Sequence, residues 1–117
     1  MAFERFTLTR KKPRFPMVSI WKRGSIGFNA DAVRYFDLDR YSFMVFYFDQ
    51  DNQKIGFEPT NDQNADGAVR FTRRQNAFSV SATAFLKTYR VDFSKARCFR
   101  LLKEKDLLVI DLRQPLA

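Results

Sequence analysis

The chain has 117 residues, with 21 Lys or Arg against 13 Asp or Glu and no histidine, for a net charge of +8. A hydrophobic fraction of 45% with 14 phenylalanines is too apolar for a disordered polyelectrolyte and suits one folded domain, since such units run about 100–150 residues. The lack of histidine excludes imidazole relays, metal sites and pH switches, and the single Cys98 excludes an intramolecular disulfide and a thiolate zinc cluster.

The longest uninterrupted apolar run, Phe43 to Phe48, is far below the roughly 18 residues needed to span a bilayer. The N-terminal charges enclose no apolar leader segment, so a cytoplasmic protein with no membrane partner is expected. Arg97 and Arg100 flank Cys98 and could activate the thiol, but a small residue packed beside Phe99 is the simpler reading.

Residues 1–23 read as a basic arm and a first strand. Arg10, Lys11, Lys12 and Arg14 surround Pro13, and with Pro16 following, the prolines favour an extended segment over a helix. Met17 to Trp21 reads as a short strand that ends at Lys22-Arg23-Gly24.

Residues 24–59 read as a strand, a short helix and a hairpin. Ile26 and Phe28 alternate on one strand face. Asn29 caps the helix Ala30 to Phe36, where Asp31 in the first turn suits the helix dipole and Val33 and Phe36 share a buried face. Ser42 to Phe48 is a strand rich in aromatics, Asp49 to Gln53 a turn, and Lys54 to Glu58 the return, stopped by Pro59. Residues 60–67 are polar and turn-rich and read as a linker.

Residues 68–117 repeat the pattern. Ala68 to Arg73 alternates with Val69 and Phe71 inward and Arg70 and Arg73 outward. Ala77 to Val80 parallels the Ile26 strand, Ser81 stands as N-cap, and Ala82 to Tyr89 is the short helix. Val91-Asp92 answers Leu38-Asp39. Cys98 to Leu102 is the next strand, Lys103 to Asp106 the turn and Leu107 to Leu112 the return. A shift of about 52–54 residues matches most apolar landmarks, as an internal duplication would.

The stretch Gly24-Ser25-Ile26-Gly27-Phe28-Asn29 through Leu38, and less fully residues 77–112, resembles the AbrB/MazE/SpoVT/MraZ group of swapped-hairpin DNA-binding domains. Asn29 and Ser81 stand where that group has a helix-starting proline. Asp37 and Arg90 stand where it has a glycine. The resemblance implies a mainly β, α+β fold with two short helices, in which duplicated strand–helix–hairpin units form a swapped-hairpin-like β-barrel. It also implies either a homo-oligomer or a monomeric pseudo-dimer.

Charge is uneven: residues 1–23 and 68–117 are basic, whereas 24–67 hold eight acids against three bases. Cations gather where phosphates lie, because neutralising phosphate releases counterions. Charge points to nucleic acid, and the resemblance adds the rest of the reading: a non-enzymatic DNA-binding transcriptional regulator, needing no cofactor and preferring duplex to single strands. Lys22, Arg23, Arg34, Arg70, Arg73, Arg74, Lys87 and Arg90 are the candidate contacts, with Arg10, Lys11, Lys12 and Arg14 as an auxiliary arm. Two alternatives stand beside it. Phe71 and Phe78 beside arginines could stack single-stranded bases. The strand Phe43 to Phe48, apolar on both faces, could serve protein assembly without nucleic acid. The pairs Asp37/Asp39 and Asp49/Asp51 fall in expected turns, where aspartate is common for its side-chain hydrogen bonds.

Overall fold

A computed structural model describes residues 15–74 and 77–116. Alternation of apolar and polar residues builds ten short strands, which pair into two five-stranded antiparallel sheets. The first sheet has the order β6-β7-β2-β1-β8, formed by β6 (Thr72–Arg74), β7 (Ala77–Ser81), β2 (Ser25–Phe28), β1 (Met17–Ile20) and β8 (Arg97–Arg100). The second has the order β5-β3-β4-β10-β9, formed by β5 (Val69–Arg70), β3 (Phe43–Asp49), β4 (Lys54–Thr60), β10 (Leu107–Asp111) and β9 (Leu102–Glu104). Among the described residues the pairing stays in two open sheets and does not close into the expected barrel.

The chain passes between the sheets three times, once through the segment joining β2 to β3 and twice at a single buried residue. Phe71 separates β5 from β6 and Leu101 separates β8 from β9. Both pieces were expected to run straight, because the apolar alternation continues through the bend. The amide of Phe71 donates to the Ser42 carbonyl and that of Leu101 to the Pro16 carbonyl, so neither crossing leaves its N–H unsatisfied.

The core lies between the sheets. Val18, Ile20, Ile26, Phe28, Phe78, Val80 and Phe99 from the first sheet meet Met44, Ile55, Phe57, Leu108 and Ile110 from the second. Phe28 and Phe57 touch edge to face across the interface, with ring centroids 5.1 Å apart. β4 continues through Pro59 rather than stopping there. Pro59 lies opposite Met44 of β3, but the β10 register covers only residues 54–57, so the missing N–H breaks no ladder on that side.

Two short helices, α1 (Ala30–Tyr35) and α2 (Thr83–Thr88), depend on packing, since two turns do not persist alone. Asn29 caps α1 as expected. Its Oδ1 accepts from Ala32 N at 2.8 Å and from Met17 N at 3.0 Å, tying the helix to β1. The second helix starts differently. Ser81 is the last residue of β7, and the N-cap is Ala82, which offers no side-chain acceptor. Ladder pairing with Ser25 claims Ser81, and Ala82 is held instead by donating its N–H to the Gly24 carbonyl at 2.9 Å. The segment after α1, read as a plain turn, is a 3-10 turn over Leu38–Arg40.

The first sheet is centred on the β2–β7 ladder, where Ile26 lies opposite Val80, Gly27 opposite Ser79 and Phe28 opposite Phe78. The second is centred on β4–β10, where Ile55 lies opposite Ile110, Gly56 opposite Val109 and Phe57 opposite Leu108. Among the described residues the non-glycine positions with positive φ are Asp37, Gln53, Arg90 and Lys105.

Candidate nucleic-acid interface

The turn between β1 and β2 carries Lys22 and Arg23. It closes through Gly24, whose φ of +88° favours glycine and whose missing Cβ leaves room for Thr83. A Cβ there would lie 2.2 Å from Thr83 Oγ1. Thr83 Oγ1 donates to the carbonyls of Arg23 and Gly24, so the turn sits on the start of α2. The same turn borders the segment following α2, where Lys22, Val91, Asp92, Phe93 and Ser94 line an open groove of about 380 Å³. Arg23 is fixed by a bond from Nε to Ser25 Oγ at 2.9 Å and by its position over the Trp21 ring.

Lys87 in the last turn of α2 and Arg90 just beyond it are both exposed. Residues far apart in sequence therefore join Lys22 and Arg23 to Lys87 and Arg90 around one helix. The linear reading missed two further cations, Lys95 in the loop to β8 and Arg97 at the first residue of β8. Arg97 donates to the Asp92 carbonyl at 2.8 Å and lies over Phe99. The acid of this end, Asp92, is occupied locally. Ser94 donates to it from both hydroxyl and amide, and these bonds hold its carboxyl below the ordinary range.

The other four described candidates lie elsewhere. Arg34 on α1 pairs with Asp31 one turn earlier. Arg70 lies over the Phe43 ring, 4.8 Å from its centroid. Arg73 donates to the Tyr41 carbonyl at 2.8 Å and to that of Asp39 at 3.4 Å, and covers Phe78, so it braces β6 against the segment after α1. Arg74 is exposed on β6. Arg10, Lys11, Lys12 and Arg14 lie outside the described residues.

The stacking platforms expected at Phe71 and Phe78 are not available to a base, because the two side chains are only 7% and 3% exposed. Asp49 accepts from both the side chain and the backbone of Asn52, which lowers its pKa and accounts for it as a turn residue. Among the described residues no cluster of three His, Cys, Asp or Glu could hold a metal, and no helix is long and apolar enough to cross a membrane. Cys98 is half-buried with its sulfur 3.2 Å from Ser19 Oγ.

On the second sheet, the outer face exposes Tyr47 and Leu102, 43% and 52% accessible, beside Val109 and Leu107. Tyr47 donates to Glu58 at 2.6 Å and Lys54 bridges to Glu104 at 3.2 Å across the same face. No protein-family model, curated protein or solved structure matches the chain.

Proposed function

We propose that this chain is a non-enzymatic, cytoplasmic duplex-DNA-binding protein of the AbrB-like kind, acting in transcriptional regulation. The observation that carries the reading is the gathering of Lys22, Arg23, Lys87 and Arg90 around α2, with Lys95 and Arg97 beside them and Asp92 already engaged by Ser94. Exposed cations on a rigid turn and a short helix can lie along a phosphate backbone, while arginine can also fork onto a guanine edge. Arg34, Arg70 and Arg74 are weaker candidates, and Arg73 is engaged by the Tyr41 and Asp39 carbonyls.

The finer fold belongs to the same proposal: two copies of one strand–helix–hairpin unit, paired within one chain as a pseudo-dimer. Several observations support it. Asp37 and Arg90, both left-handed, stand 53 residues apart, and Gln53 and Lys105 stand 52 apart. The helices begin 53 residues apart.

A salt titration of binding to a short duplex tests the reading. Six phosphate contacts give a log–log slope near −5 at about −0.9 per contact. A flat slope, or no binding at low salt, would overturn it. The exposed Tyr47 and Leu102 favour a second reading, a protein-assembly module, for which light scattering of the protein without DNA is the check: a monomer at high concentration removes it.

A further inference from the structure

We infer that the two ends of this molecule are not equivalent toward DNA: the α2 end takes the phosphates, and Asp31 and Asp37 keep the α1 end from doing so. The inference rests on the DNA-binding reading above and adds which end is used and what selects it.

The two helix ends share one backbone. Each helix spans six residues, is C-capped by an aromatic residue (Phe36 or Tyr89), and is followed by a residue at φ 53° or 55°. The side chains on this common frame differ in charge. At the first position after the cap stands Asp37 in one and Arg90 in the other. At the second helical position stands Asp31 in one and Ala84 in the other. The cations Arg34 and Lys87 occupy matching positions, but Asp31 pairs with Arg34, whereas α2 carries no acid. Over residues 30–40 three acids face two bases, and over the matching residues 83–93 two bases face one acid.

The neighbouring segments widen the difference. The α2 end receives Lys22 and Arg23 from the β1–β2 turn. On the β6 side one of the two cations, Arg73, is spent on the Tyr41 and Asp39 carbonyls, which leaves Arg74 exposed there against the exposed pair Lys22 and Arg23 beside α2. A phosphate approaching α1 meets two aspartates at positions where, on α2, it meets alanine and arginine. Like-charge contacts of this kind disfavour the wrong partner as strongly as attraction favours the right one.

The experiment moves the site. Binding of a 12-base-pair duplex is followed by fluorescence anisotropy from low to moderate salt. Lys87→Ala with Arg90→Asn removes two contacts while keeping a residue that tolerates positive φ, and the slope becomes shallower by about 2. Adding Asp31→Ala and Asp37→Arg to that variant gives α1 the residues of α2, and the lost steepness returns. A control adds the same charge at the hairpin tips, Asp51→Ala with Asp106→Arg, and leaves the slope shallow. Arg90→Asn alone, with a change of about 1, serves if the combined variant does not fold. If wild type binds but the Lys87/Arg90 variant keeps its slope, or if the hairpin control restores binding equally, this inference fails and the DNA reading survives. If wild type does not bind duplex at low salt, both fall.

Discussion

Asp37 and Arg90 adopt the same left-handed backbone conformation, φ 53° and 55°, one residue beyond the C-caps of α1 and α2. Such a position ends a helix at low cost for glycine, at modest cost for aspartate, and at about 1 kcal/mol or more for a residue with a long side chain. Arg90 therefore holds a strained site, as do Gln53 and Lys105 in the hairpin turns.

Replacing Arg90 by glycine is expected to stabilise the fold by about 0.5–1 kcal/mol while weakening DNA binding. Asp37→Gly is expected to stabilise less, because aspartate already tolerates this conformation, and not to weaken binding. Urea unfolding and duplex titration of both variants measure this; equal stabilisation at the two positions would refute the strain argument.

The two helix starts make a second contrast. Asn29→Ala removes an acceptor shared by Ala32 N and Met17 N and a donor to the Phe15 carbonyl, for an expected loss of about 2 kcal/mol, at the upper end for an N-cap. Ser81→Ala is expected to cost less than about 0.5 kcal/mol, since Ser81 ends a strand and caps nothing. Thermal or urea midpoints of the two variants check it.

That contrast shows what the sequence could reveal. The strands, the hairpins and the Asn29 cap were legible because each depends on residues within a few positions: alternation at Ile26 and Phe28, a short polar acceptor before an apolar turn. Ser81 was misread because its local preference for a cap lost to ladder pairing with Ser25, a partner 56 residues away. The bends at Phe71 and Leu101 were illegible for the same reason, since a buried residue continues the alternation whether or not the strand changes sheet. The cation cluster depends on Thr83 receiving the Lys22–Gly24 turn, a packing event no local pattern encodes. The left-handed sites at Asp37 and Arg90 were reachable only through the resemblance, which placed glycine there.

Arg73 is expected to act on stability rather than on DNA. Its guanidinium spans two carbonyls and covers Phe78, and Arg73→Ala should cost about 1–2 kcal/mol. Arg73→Lys should recover little of this, because one ammonium cannot match the fork. Neither change should alter the salt slope of duplex binding. A slope change of about 1 with unchanged stability would instead make Arg73 a phosphate contact.

Stability is expected to be level from about pH 8 to pH 5, since no histidine titrates there. It should then fall in acid. Hydrogen bonds from Asn52 to Asp49, from Ser94 to Asp92 and from the Arg113 amide to Asp111 each hold the folded carboxyl below its ordinary value of 3.8. A carboxyl depressed in the folded state binds protons less readily than in the unfolded chain. Its contribution is therefore full above 3.8 and is lost as pH drops through the lower folded values. At the alkaline end Tyr47 behaves oppositely. Its hydrogen bond to Glu58 raises its pKa above 10.0, so its contribution is present below that value and disappears as pH rises through the raised one. Urea midpoints measured from pH 2 to pH 8 should show one acid limb, less steep in Asp92→Asn. A decline already present between pH 8 and pH 5 would contradict these assignments.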